Sequence, residues 1–360
     1  MNKQTLLKKL SVEEKINLTS GHGMWTSVGN DTIQTRNLVF ADGPHGVRVY
    51  KKTPGTEGFN ENEKAPSTLF PSAAAMASTF NPNLIYNVGK TIAKECNHYN
   101  VDVLLGPGVN LKRSPLGGRN FEYYSEDPYL TGIIATNFIN GVQSEGVGAC
   151  IKHFALNEQE NLRRFISSEA DERTIHELYL LPFEMAIKNA KPSSIMGSYN
   201  KVNGHYACES QYLLKDVLRE QWGYKGLVMS DWGGVQNKVK SIKNGMNLEM
   251  PGNSEFNEEV RIALKNNELT EQELDDSLLP VFDLYDFCEE NPNKGKDTDF
   301  EKNHNFASKV SEEAIVLLEN DGILPLKKGI KLGVIGDFAQ NPRINGGGSA
   351  SLKSYKIDKP

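Results

Sequence analysis

The 360 residues, 40.0 kDa in all, have room for one large domain, or a large domain with part of another. An ordinary soluble composition (38% hydrophobic, 24% charged), a net charge of −6 and no basic block argue against a nucleic-acid partner. No run of about 18 apolar residues occurs that would span a membrane, and Met1–Leu10 lacks the apolar core of a signal peptide.

Ser11 and Glu14 have capping-box spacing ahead of Ile16 and Leu18, which predicts an opening helix that Gly21-His-Gly-Met-Trp25 ends. Leu38-Val-Phe-Ala41 reads as a short strand closed by Asp42-Gly-Pro-His-Gly-Val-Arg48. Residues 51–67, polar and rich in Gly, Pro and Glu, read as a long surface loop. Helices are expected from Asn81 to about Tyr99, from Pro128 to Ser144, from Glu172 to Ala190 and from Ser210 to Trp222. Strands are expected at Val101–Leu105, Val147–Ile151 and Ser194–Tyr199.

Lys225-Gly-Leu-Val-Met-Ser-Asp-Trp-Gly-Gly234 then places a buried-strand run directly before a carboxylate, a large ring and flexible backbone. Such a strand end suits a pocket, although Asp231 could equally cap the helix expected from about Val235 to Lys243. Asn247–Pro251 closes the series before helices near 255–267 and 271–288, the latter opened by a capping box at Thr270 and Glu273.

Strands alternating with helices imply an α/β fold with a parallel sheet, either a closed (β/α)8 TIM-like barrel or an open doubly wound sheet. Six or seven units in roughly 290 residues, with polar residues repeatedly following the strands and no GxGxxG after the first, favour the barrel. Residues 1–288 are therefore read as the barrel and 289–302 as a charged linker. Residues 303–360 read as the incomplete start of an α/β sandwich domain, with a helix over 306–320 and an opening strand at Ile330–Gly336.

The residues after the strands form a set: Asp42 and Arg48, Arg113 and Arg119, Lys152 and His153, Tyr199, Asp231 and Trp232, Glu249. It holds carboxylates, fixed cations and aromatics, with no thiol nucleophile, phosphate-cradling loop or metal cluster, so neither a metal nor a cofactor is expected. Charged groups bind vicinal hydroxyls by charge-assisted hydrogen bonds and Trp offers a flat face to a sugar ring, so a small hydroxyl-rich ligand fits. A nucleophilic carboxylate has to stay ionised, which Arg119, Lys152 and Arg163 around Asp231 would favour. Each residue also has a plain structural reading: Asp42 as a turn former, Arg119 and Glu122 as a loop salt bridge, Tyr199 as a core tyrosine, Arg163 beside Arg164 as solvated charge. The four scattered cysteines read as reduced thiols of a cytoplasmic protein.

Taken together, the chain resembles the N-terminal barrel of glycoside hydrolase family 3, in its β-glucosidase branch. The matching stretches are Asp42-Gly-Pro-His-Gly-Val-Arg48, Gly106-Pro-Gly-Val-Asn110, Arg113–Pro128, Lys152-His-Phe-Ala-Leu-Asn-Glu-Gln-Glu160, Gly197-Ser-Tyr-Asn200 and Val228-Met-Ser-Asp-Trp232. The resemblance implies a retaining β-glycosidase with Asp231 as nucleophile acting on a small β-glucoside or oligosaccharide. It implies that Asp42 binds the hydroxyls at the far side of the sugar, that Arg48, Arg119, Lys152, His153, Arg163 and Tyr199 line the same subsite, and that Trp232 stacks at its mouth. The aspartate at position 42 is similar to glucosidases rather than xylosidases of the family. The loop Ala155–Glu160 lacks the His-Asp pair of the amino-sugar-cleaving branch.

The resemblance also implies that the acid/base glutamate belongs to the second domain, at a position this chain does not reach, with Gly346-Gly-Gly-Ser349 similar to a loop leaning from that domain over the pocket. Glu158, Glu160 and Glu249 are in-chain carboxylates to which no motif gives that task. The chain thus reads as an N-terminal portion of a longer enzyme. The alternative is a sugar-binding barrel without turnover, and the oligomeric state is left open.

Overall fold

The computed structural model describes residues 3–52 and 59–359. Five parallel strands, β1 (Phe40–Asp42), β2 (Val103–Leu105), β3 (Gly148–Phe154), β4 (Ser194–Gly197) and β5 (Leu227–Ser230), lie side by side in chain order. Parallel neighbours need a crossover, and long helices supply it: α2 (Pro82–His98) leads from β1 to β2 and α3 (Pro128–Gln143) from β2 to β3, after the short N-terminal-region helix α1 (Val12–Leu18), itself preceded by one helical turn at Lys3–Leu7. The next crossovers hold α4 (Leu181–Ala190) and the π-helical α5 (Tyr212–Gln221). The chain then forms α6 (Lys238–Lys243), α7 (Ser254–Lys265), α8 (Glu271–Glu289) and α9 (Phe300–Ala314). Both capping boxes form at the expected serine and threonine, and Asn81 and Asp127 cap α2 and α3 ahead of a proline.

Backbone pairing continues beyond the five strands. Leu248 bridges Met229 in parallel, Glu249 N–H donates to Thr19 (2.9 Å), Gly21 N–H donates to Glu249 (2.8 Å), and Gly21–His22 pairs antiparallel with Thr26–Ser27. Phe40 N–H then donates to Trp25 (2.9 Å), which brings the pairing back to β1. Two successive pairings of this circuit are antiparallel, Gly21–His22 with Thr26–Ser27 across the turn at residues 23–25, and Thr26 with Val39 on the return to β1.

Side chains alternate across each strand. Leu104, Ala149, Ile151, Ile195 and Val228 face α2 and α3, where Ile85, Val88, Ile134 and Phe138 are buried. Phe40, Val103, Leu105, Cys150, Met196, Leu227 and Met229 share a second cluster with Trp25, Leu248 and Met250 on the inner face. Asp42, Lys152 and Asp231 each stand two residues beyond an inner position, so the pleat aims them the same way.

Three sequence expectations change. Residues 51–67 are not simply a loop: Tyr50–Lys52 and Phe59–Lys64 pair antiparallel, with residues 53–58 outside the described part. The last helix, α9, opens at Phe300 inside the expected linker and ends at Ala314, and Phe306, Ala307 and Val310 pack it onto the core beside Phe70. Ile330–Gly336 forms no strand and is exposed, since no neighbouring strand among the described residues pairs its backbone. Beyond it the chain returns to the main body, where Lys353–Ser354 pairs with Pro66–Ser67 and Ala350 and Leu352 are buried.

Candidate active site

Asp231 follows β5 directly, and its backbone N–H donates to Gly197 on β4 (3.0 Å), so the sheet itself fixes its Cα. Its carboxylate is held on two sides. Oδ1 accepts the Trp232 N–H at 2.8 Å, and Oδ2 lies 3.3 Å from Arg119 Nη1 and 3.6 Å from His153 Nε2. The helix-cap reading of Asp231 does not hold, because Asn237 caps α6. The Tyr199 phenol meets the same carboxylate; burial first, and then that negative charge, push its ionisation far above the usual tyrosine range. Arg163 and Arg164 stack over the Tyr199 ring, at 4.4 and 5.2 Å from its centroid.

Lys152 and His153 lie near the C-terminal end of β3 and are fully enclosed. Asn110 Oδ1 accepts the His153 backbone N–H at 2.8 Å, and the Tyr123 hydroxyl sits 3.0 Å from Nδ1. Arg119 donates toward Nε2 from the opposite side of the ring. Burial, then Arg119, Lys152 and Arg163, drive the His153 ionisation well below its ordinary value, so the ring is neutral and accepts from Arg119. Lys152 Nζ lies 3.1 Å from Asp42 and 3.6 Å from Glu122. Burial works against its charge, but Asp42 and Glu122 outweigh that and raise its pKa.

Asp42 also pairs with Arg48, whose guanidinium lies 5.1 Å over Trp25 and 5.5 Å over Tyr50. Trp25 in turn packs 5.4 Å from Trp232, whose indole N–H donates to Met24 O at 2.9 Å. All nine residues singled out as binding or catalytic therefore gather around the inner ends of β1, β3, β4 and β5. Together they form a largely buried polar cluster with Trp25 and Trp232 along one side.

Two other members of the sequence set go elsewhere. Arg113 turns to the Tyr179 hydroxyl, 5.8 Å over that ring, in a separate cavity of about 540 Å³. Glu249 is buried against Lys238 at 3.0 Å. Both follow strands in sequence, but a partner on a neighbouring helix claims each. Glu122 is the opposite case: the loop salt bridge to Arg119 exists, but its Glu122 end is wholly buried inside the cluster. Ser349 Oγ also donates to Glu122, at 2.6 Å, and Arg48 Nη1 donates to Gly348 O at 2.8 Å, so residues 346–355 form part of the rim. Asn110, Tyr123 and Trp25 were missed because an amide, a phenol and an indole in loops carry no sequence signal of their own.

Among the described residues, no group of three or more His, Cys, Asp or Glu could hold a metal ion. Residues 2–284 match the family model described as the glycosyl hydrolase family 3 N terminal domain. A thermostable beta-glucosidase B of Acetivibrio thermocellus is 40% identical over 98% of this chain, which spans 47% of that relative. An exo-alpha-(1->6)-L-arabinopyranosidase of Bifidobacterium longum is also 40% identical, over 98% of this chain and 48% of its own length. The solved structure of beta-glucosidase 3B from Thermotoga neapolitana in complex with glucose superposes with a TM-score of 0.92 at 37% identity, covering 99% of this chain and 52% of that one. The chain thus spans about half the length of the relatives it matches. With the family model covering most of its residues, the chain belongs to glycosyl hydrolase family 3.

Proposed function

We propose that this chain is the sugar-binding and nucleophilic portion of a retaining β-glycosidase that releases terminal β-D-glucosyl residues through a covalent glycosyl-enzyme at Asp231. The observation that carries this reading is the Asp231 carboxylate itself, 93% enclosed yet held by Arg119 and the Trp232 N–H, with His153 beside it, on the face that also presents Asp42 and Lys152. In the first step an Asp231 oxygen bonds to the anomeric carbon while the bond to the leaving oxygen breaks, and that oxygen takes a proton. In the second, water attacks the same carbon, Asp231 leaves, and the water's proton returns to the group that gave the first. No cofactor enters either step. Asp42, Arg48 and Lys152 bind the far hydroxyls, and Arg163, Tyr199 and Trp232 complete the walls.

We assign the acid/base carboxyl, needed about 5–5.5 Å from the nucleophile, to a glutamate outside these 360 residues. The nearby carboxylates are engaged: Asp42 by Arg48 and Lys152, Glu160 by Arg163 at 2.6 Å, Glu249 by Lys238. Glu158 carries a raised pKa, but Asn110 stands between it and His153. On the same reading the hydrogen-bonded circuit of strands is a (β/α)8-like barrel built from residues 1–288, α9 packs onto it, and the segment beyond Ala314 is the start of a sandwich domain. The four free, buried cysteines support a cytoplasmic setting. Among the described residues no helix is long and apolar enough to cross a membrane.

The test is labelling by a dinitrophenyl 2-deoxy-2-fluoro-β-glucoside, whose leaving group needs little acid help. One fluoroglucosyl unit should add to the chain, on the peptide containing Asp231, and D231A should remain unlabelled. An unlabelled chain that still binds glucose by calorimetry would instead mark a non-hydrolytic sugar-binding barrel. Because one relative is named for arabinopyranoside release, the matching fluoro-arabinopyranoside is run alongside, and the faster donor names the sugar.

A further inference from the structure

Glu122 has no task in the reaction above, yet three side chains of the cluster converge on its carboxylate. Its side chain is 0% exposed. Arg119 Nε, Lys152 Nζ at 3.6 Å and Ser349 Oγ at 2.6 Å converge on it. The charges alternate along a continuous path: Asp42, Lys152, Glu122, Arg119, Asp231. Burial opposes the Glu122 charge, but Arg119 and Lys152 more than offset this and hold the carboxyl down to about 2.

The third partner comes from far along the chain. Ser349 stands 227 residues from Glu122, on a segment anchored independently of it. Lys64 Nζ donates to Ser351 Oγ at 2.9 Å, Lys353–Ser354 pairs with Pro66–Ser67, and Gly346 lies so close to Phe121 that an added Cβ would meet that side chain at 2.3 Å.

We propose that Glu122 is a positioning residue that transmits the docking of residues 346–355 to the two carboxylates flanking the sugar. Ser349 fixes the Glu122 carboxylate, Glu122 restrains Arg119 and Lys152, and these set Asp231 and Asp42. With Glu122 neutral or unrestrained, Arg119 closes onto Asp231 and Lys152 onto Asp42, and a nucleophile paired more tightly with a cation attacks more slowly. The inference rests on the reading of Asp231 as the nucleophile.

The test is a double-mutant cycle on Asp231 labelling, read at saturating fluoroglucoside. E122Q slows the saturating rate constant by about tenfold or more, S349A slows it less, S349T recovers part of the loss, and the double variant is no slower than E122Q alone. Effects of S349A and E122Q that multiply, as they would if Ser349 met the sugar independently, overturn the proposal. An S349A chain that labels like the unaltered one overturns it as well. Should E122Q fail to fold, E122D, which keeps the charge but withdraws it from Ser349, takes its place in the same cycle. Should the unaltered chain resist labelling but bind glucose, the nucleophile reading falls and the same cycle on the glucose Kd decides the coupling. A chain that does neither overturns both.

Discussion

At the scale of single residues, the site is an ion-pair network in which each buried charge has an opposite neighbour. This is the condition for keeping charge away from water at tolerable cost. Asp42 pairs with both Arg48 and Lys152. D42N leaves two cations without it, and glucose affinity measured by calorimetry should drop by about a hundredfold. Glu158 tests the electrostatics behind the site. Burial, only partly offset by the Leu111 N–H and the Asn110 amide, pushes its carboxyl from 4.5 up to about 8. The folded chain then keeps a proton that the unfolded chain releases. This group's contribution is full below pH 4.5 and is lost as pH rises toward about 8. E158Q cannot lose that proton, so its advantage in Tm over the unaltered chain should grow from pH 5 to pH 8.5. An equal difference at both would place the proton elsewhere.

At the scale of elements, the caps were legible in sequence because a cap is a local bond: Ser11 to Glu14 and Thr270 to Glu273 span three residues each. The hairpin at Tyr50–Lys52 and Phe59–Lys64 was not, since Asn60-Glu-Asn-Glu-Lys64 shows no apolar alternation to mark a strand. Helix packing was likewise invisible. α2 and α3 cross where an added Cβ on Gly141 would lie 2.0 Å from Tyr86 O and one on Gly89 would lie 2.4 Å from Phe138 O. Backbone cannot yield as a side chain tip does, so G141A should cost about 1–3 kcal/mol in urea unfolding. G333A, with open space around it and no positive φ, should leave stability unchanged.

At the scale of the whole molecule, the main body buries two large apolar clusters, whereas residues 315–335 leave a run of aliphatic side chains in water. Leu318 is 92% and Ile335 97% exposed. Such a surface promotes association. The chain at high concentration should elute ahead of a 40.0 kDa monomer on sizing chromatography, and L318E/I335E should shift it back. A monomer peak for the unaltered chain would contradict this.

Sequence alone established the alternation of helix and strand and the family resemblance, and it singled out nine residues, Asp231 among them, that the fold brings together. Period and pleat are local properties, and they decide which residues leave a strand on the same face. Only the tertiary structure decided the partners. It turned Arg113 to Tyr179 and Glu249 to Lys238, buried Glu122 at the centre of the cations, and brought Ser349 to it across 227 residues. Which opposite charge a buried group meets depends on how distant segments pack, and no spacing along the chain encodes that.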